Sequence, residues 1–255
     1  MQGFFLTKAV VWSSRFTYNY PINTIKGECT LDRKLLQKNI DSVFEKINEN
    51  KQSDTPVELI AVSKYVESDV IREMVESGLS KFAENRTDSL LKKQEELGEL
   101  NNDIEWHFVG RLQTRPVRKM INQIDYLHSL DRMSLIKEVD KRAEKPVKCF
   151  LQVNISGEEQ KAGFKPEEVL STVEQLEDYP NIHLVGLMTM APHDESEERL
   201  RNYFRALKDL QVEVSSMNLE YAPCTELSMG MSEDYPIAIQ EGATMVRVGR
   251  ALIES

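Results

Sequence analysis

The chain has 255 residues, 40% of them hydrophobic, and a formal net charge of −10. This is enough apolar material for a sizeable core, in one barrel or two small domains, while the acidic balance argues against a general nucleic-acid binder, which needs clustered Lys and Arg. No apolar run reaches the ~18 to 20 residues of a membrane helix, and three scattered cysteines, Cys29, Cys149 and Cys224, lack metal-ligand spacing and point to a reducing compartment, the cytosol.

Residues 1–28 carry a short apolar patch interrupted by Lys8 and read as an extension outside the domain, which spans 29–255. Leu36, Ile40, Val43, Phe44 and Ile47 then recur at helical spacing and predict an amphipathic helix over 31–48. After it, short apolar runs alternate with helical stretches. Strands are expected over 57–62, 81–83, 104–108, 126–128, 148–153, 183–186, 225–227 and 245–248. Pro166 with Glu167 and Glu168 opens a helix with Val169, Leu170, Val173 and Leu176 on its apolar face, and Pro180 closes it. Another helix starts near Glu195 and runs through Leu200, Tyr203, Phe204, Leu207 and Leu210. Eight strand-helix units predict a parallel α/β sheet closed into a single (β/α)8 TIM barrel, with an additional N-terminal helix.

The unusual residues fall just past the expected strand ends: Lys64, Asn85, Gly110, Ser129, Asn154, Met188 with Met190, Ser228, and Arg247 with Gly249. In such barrels the C-terminal rim is where chemistry sits. The stretch ELSMGMSEDYPIAIQEGATMVRVGR (226–250) sets serines and glycines at two adjacent seams, where Ser228, Gly230, Ser232, Gly249 and Arg250 suit an anion such as phosphate. In ELIAVSKY an apolar strand delivers Lys64 to the same rim. Partial desolvation there would favour the nucleophilic amine, which forms Schiff bases. A lysine and a phosphate site on one rim suit a phosphorylated aldehyde or ketone, either pyridoxal 5'-phosphate or a sugar phosphate. Cys224, beside the phosphate turn, has no neighbouring base in the sequence and reads as a packed thiol.

ELIAVSKY, FAENR, WHFVGRLQ, CFLQVNIS, GLMTMAP and the 226–250 stretch, in that order, resemble the pyridoxal phosphate homeostasis proteins, single-domain barrels related to the N-terminal domain of alanine racemases. The resemblance runs from about Leu31 to the end. It implies that Lys64 holds pyridoxal 5'-phosphate as a Schiff base, that Ser228, Gly249 and Arg250 with neighbouring amides hold the phosphate, that Met229 also belongs to the cofactor site, and that Arg247 faces the pyridine nitrogen. Asn85, His107 and Met190 match positions that line the pocket. Ala83 stands where the family has glycine, and Arg86 where it commonly has an aromatic. A guanidinium against the ring nitrogen leaves a poor electron sink, and the chain ends soon after Arg247, without room for the domain that brings the racemases their second base.

The expectation is therefore a cytoplasmic, monomeric protein that stores or delivers pyridoxal phosphate, with pyridoxal-phosphate-dependent apoenzymes as recipients and no nucleic acid, membrane or metal. The alternatives are an enzyme of this cofactor with weak racemase-type activity on small amino acids, and a Schiff-base aldolase acting on a sugar phosphate.

Overall fold

A computed structural model describes residues 23–25, 28–30, 32–52, 56–192 and 194–254. Most of the expected extension 1–28 lies outside them. At its end, β1 (Asn23–Ile25) pairs antiparallel with β2 (Glu28–Thr30), which runs past residue 28. Eight further strands close a parallel barrel in the order of the chain: β3 (Glu58–Val62), β4 (Lys81–Glu84), β5 (Glu105–Phe108), β6 (Tyr126–Leu130), β7 (Val147–Gln152), β8 (Ile182–Met188), β9 (Glu226–Met231) and β10 (Met245–Val248). Every strand read from the apolar runs is present. The largest boundary error is at β9, which runs on through Ser228 to Met231 instead of stopping at Leu227. A register shift against β10 between Met245 and Arg247 absorbs Gly230, so small and polar residues continue the strand.

Helices cover the outside. The first, α1 (Arg33–Asn50), opens on Asp32, whose carboxylate accepts the Lys34 N–H at 2.9 Å. Its residues Leu36, Ile40, Val43 and Ile47 are buried, each contributing about 1.5–3 kcal/mol. Phe44, expected on that face, is 39% exposed, because it sits one position off the 4-3-4 stripe. The helices that follow are α2 (Ser68–Glu76), α3 (Thr87–Leu97), α4 (Thr114–Met120), α5 (Met133–Arg142), α6 (Val169–Gln175), α7 (Glu197–Ser216), α8 (Tyr235–Gln240) and α9 (Arg250–Ile253). Leu170, also expected inside, is 37% exposed beside buried Val169 and Val173.

Alternation along the strands separates two cores. Outward residues such as Leu59, Ala61, Phe82, Trp106 and Leu227 pack under the helices. The residues between them, Ile60, Ala83, Phe150, Met188 and Met245, form a smaller cluster that fills the barrel. Gly186 fixes how closely β8 lies on its neighbours: a Cβ there would fall 2.0 Å from the Glu226 carbonyl oxygen and 2.8 Å from Phe150 Cε1. Gly186→Ala is therefore expected to cost about 3 kcal/mol or more through overpacking, lowering the melting temperature by roughly 6–12 °C in a domain of this size. Thermal unfolding followed by circular dichroism checks it.

Candidate functional site

β10 is bonded to β9 on one side and β3 on the other, so segments distant in sequence meet on one arc of the C-terminal rim. Register pairs Arg247 with Ile60 and Val248 with Ala61, which sets Gly249 beside Val62. A Cβ on Gly249 would come 3.1 Å from the Val62 carbonyl oxygen, so a small residue suits that seam. The N–H groups of Gly249 and Ala251 donate to Ser232 Oγ at 3.3 and 3.4 Å, and Arg250 pairs with Glu233 at the edge.

Lys64 leaves the barrel wall two residues beyond the end of β3. It is exposed, its Nζ 4.6 Å from the centroid of the Tyr65 ring. The expected desolvation is thus not found: β3 stops at Val62, and the side chain projects past the wall into solvent. The Tyr65 ring lies under the ammonium. A cleft beside Lys64 is lined by Asn85, Arg86, Asp88, Lys92 and Lys93. Asn85 is half-buried just past β4, and Gly110 lets the turn after β5 lie on it, since a Cβ there would fall 2.0 Å from the Asn85 oxygen.

Beneath Lys64 and Asn85 lies an ion pair that composition concealed. Glu84 is fully buried and Lys93 is 3% exposed. Lys93 pairs with Glu84 and donates to the Ser63 carbonyl at 2.8 Å. Glu84 also accepts the Ser63 hydroxyl at 2.8 Å and the Asn85 N–H at 3.3 Å. One carboxylate thus ties the residue before Lys64 to the residue lining the cleft.

Several expected site residues lie elsewhere. Ser228, Ser129 and Met188 are inside strands rather than past them, while Arg247 lies within β10, as the expected strand 245–248 has it. Met229 faces the core between barrel and helices, because alternation turns it away from the interior side that Ser228 takes. Met190 stays on the rim, 40% exposed. Ser228 is fully buried and its Oγ is engaged twice, accepting from Arg247 Nη1 at 2.6 Å and meeting His128 Nδ1 at 2.8 Å. Ser232, noted in the turn, is the hydroxyl that reaches the rim amides instead.

Arg247 is 4% exposed, and its Nη2 donates to the Thr189 carbonyl at 2.8 Å. Burial pulls its pKa down to about 10, which leaves it charged at neutral pH. His128 Nε2 meets His107 Nδ1 at 2.8 Å, and His107 Nε2 meets Glu105 at 3.1 Å. Burial pushes both imidazoles below the ordinary histidine value, His128 well below it. The hydrogen bond from His107, aided by Lys81, holds Glu105 down at about 2. His107 was read as pocket-lining; it sits inside the barrel, fully buried. Nothing in the spacing singled out His128, whose partners are on other strands.

A pH dependence follows. An unfolded histidine takes up a proton near 6.5, while the buried pair does not. Their contribution to stability is full above about 6.5 and is lost as pH falls below it, at up to about 1.4 kcal/mol per pH unit for each ring. Glu105 contributes above about 4.5 and loses that contribution as pH falls toward about 2. Melting temperatures should be flat from pH 7 to 8 and decline below 6.5, before the carboxylates titrate; differential scanning calorimetry over pH 4 to 8 reads this.

Cys149 and Cys224 are buried free thiols. Burial pushes Cys224 up to about 12, so it is an inert packed thiol as expected. Among the described residues no group of His, Cys, Asp and Glu could hold a metal ion, and no helix is long and apolar enough to cross a membrane.

The chain matches the model of the alanine racemase N-terminal domain over residues 32–254. It is 43% identical over 198 residues to the pyridoxal phosphate homeostasis protein of Aquifex aeolicus (strain VF5), covering 76% of this chain and 85% of that one. It is 33% identical over 222 residues to the protein of the same name from Haemophilus influenzae, covering 86% and 92%. Among solved structures, PipY of Synechococcus elongatus PCC7942 with pyridoxal phosphate bound superposes with a TM-score of 0.76 at 32% identity, over 86% of this chain and 99% of that one. Alanine racemase from Corynebacterium glutamicum, at 14% identity and a TM-score of 0.70, covers 87% of this chain and 61% of its own, and shares the fold. With the curated relatives matched over most of their length, the chain belongs to the pyridoxal phosphate homeostasis protein family, within the alanine racemase N-terminal domain class.

Proposed function

We propose that this protein binds pyridoxal 5'-phosphate through a Schiff base to Lys64 and takes part in its homeostasis, holding, buffering or delivering the aldehyde. The observation that carries the reading is the meeting of Lys64, Arg247 and the Ser232–Gly249–Ala251 seam on the adjoining ends of β3, β10 and β9. The donor set fits the ligand: an exposed primary amine for the aldehyde, backbone N–H groups and a hydroxyl for the phosphate, and a buried guanidinium for the ring nitrogen. Ser232, Gly249 and Arg250 hold the phosphate in this reading, with Asn85 and Met190 flanking the ring. Ser228 and His107 act from below.

When bound, the cofactor supplies an electrophilic carbon and a ring that can withdraw electrons. Arg247 limits the second property. A guanidinium that stays charged at neutral pH has no lone pair to offer and gives no proton to the ring nitrogen, which disfavours carbanion chemistry and favours a carrier over an efficient enzyme. Pyridoxal-phosphate-dependent apoenzymes as recipients, a cytoplasmic location and a monomeric state complete the proposal.

The test is to purify the protein with added pyridoxal phosphate, reduce with borohydride, and map the modified peptide by mass spectrometry. A visible band and a tag on Lys64 are expected. An untagged Lys64 in a colourless protein overturns the reading and turns attention to sugar phosphates. Turnover of D- or L-alanine that disappears in Lys64→Ala would instead make the protein a racemase-type enzyme.

A further inference from the structure

Arg247 does not stand alone in the barrel. It is one end of an unbroken line of contacts crossing the interior: Arg247 to Ser228, Ser228 to His128, His128 to His107, and His107 to Glu105, with separations of 2.6, 2.8, 2.8 and 3.1 Å. Three of its members, Ser228, His128 and His107, are fully buried. Aromatic faces clamp the two rings: Tyr126 stacks on His107 at 4.6 Å and 5°, and Phe150 on His128 at 4.3 Å and 22°.

The two ends set the direction of every proton between them. A guanidinium only donates, so Ser228 Oγ accepts from Arg247; because a hydroxyl has two lone pairs, it is the accept-only Glu105 end, acting through two neutral rings, that sends the Ser228 hydrogen to His128 Nδ1. That nitrogen is then the acceptor of its ring, and His128 carries its proton on Nε2, which donates to His107 Nδ1. His107 in turn carries its proton on Nε2 and donates to the Glu105 carboxylate, which only accepts. Each imidazole is neutral with one tautomer, and all four bonds are made. A proton added to either ring would set two N–H groups facing each other, or make Ser228 turn its hydrogen away from His128 and accept from both neighbours.

We propose that Ser228, His128 and His107 are positioning residues for Arg247, forming a one-way relay to Glu105 that fixes the guanidinium where it meets the ring nitrogen of bound pyridoxal phosphate. This rests on the functional reading above. The relay places the charge of Arg247 at the cofactor end and the charge of Glu105, with Lys81 3.3 Å from it, toward the opposite end of the barrel. Without Ser228, Nη1 of Arg247 loses a buried acceptor and only the Thr189 carbonyl remains of these contacts to hold the group.

The first measurement is imidazole nitrogen NMR of the full-length protein without cofactor. Both His107 and His128 should be Nε2–H tautomers at pH 7 and stay neutral below the ordinary histidine value, in the field of Glu58, Lys81, Glu105 and Tyr126 at one end and Arg247 and Asp234 at the other. An Nδ1–H tautomer in either ring, or titration near 6.5, overturns the relay whether or not the protein binds cofactor. The second is absorbance titration with pyridoxal phosphate. Ser228→Ala should bind about ten-fold or more weakly, with His128 still held as the Nε2–H tautomer from the Glu105 end and its Nδ1 left without a donor. Glu105→Gln, whose amide can donate as well as accept, should release the tautomer preference of His107 and His128. Wild-type affinity in Ser228→Ala overturns the positioning role. Failure of the wild type to bind cofactor, with the predicted tautomers present, overturns the functional reading while leaving the relay intact.

Discussion

Lys64→Ala is expected to abolish covalent retention of pyridoxal phosphate: no visible band survives gel filtration and no peptide is tagged by borohydride. The side chain is exposed and makes its contact with the Tyr65 ring alone among the interactions described for it. Removing it should therefore leave folding nearly unchanged, within about 1 kcal/mol including the loss of an exposed cation–π contact. That separation of effects makes the variant informative. Lys64→Arg adds a second arm, since it keeps a cation over Tyr65 without a nucleophilic amine. If binding is mainly a matter of charge, arginine restores it; if the Schiff base carries it, arginine behaves like alanine. Equilibrium dialysis should show residual binding at least a hundred-fold weaker in both, supported by the seam at Ser232 and Gly249.

The barrel was legible because each strand is a short apolar run and each turn carries its own signal. Lys64 and Gly249 were legible for a related reason, since a strand leads straight into each. Ser228 was misplaced by the same logic. A serine after an apolar run reads as a strand end, but in a barrel interior a polar residue can continue the strand when other strands satisfy it, here Arg247 and His128. The partners of His128 come from positions 107 and 228, and no local pattern links them. Lys93 was obscured differently, within the charged stretch KKQEEL, although it falls between Leu90 and Leu97 at helical spacing, all three buried on α3. That spacing was the signal that could have found it.

Lys93→Met should be the most damaging single change near the rim. It leaves Glu84 fully buried without its cation and frees the Ser63 carbonyl, and breaking such a pair from one side costs about 3–5 kcal/mol. In a domain of this size the melting temperature should fall by roughly 6–20 °C. Replacing both partners tells stability from function, because an apolar pair of similar volume can match a buried ion pair. Lys93→Met combined with Glu84→Met should recover much of the lost stability. It cannot recover the bonds by which Glu84 holds the Ser63 hydroxyl and the Asn85 N–H, so the segments carrying Lys64 and Asn85 lose their common anchor. A double variant that melts near wild type yet binds pyridoxal phosphate several-fold more weakly would make the pair a device for aiming Lys64. Full recovery of both would make it packing alone, with β3 itself sufficient to hold the lysine in register.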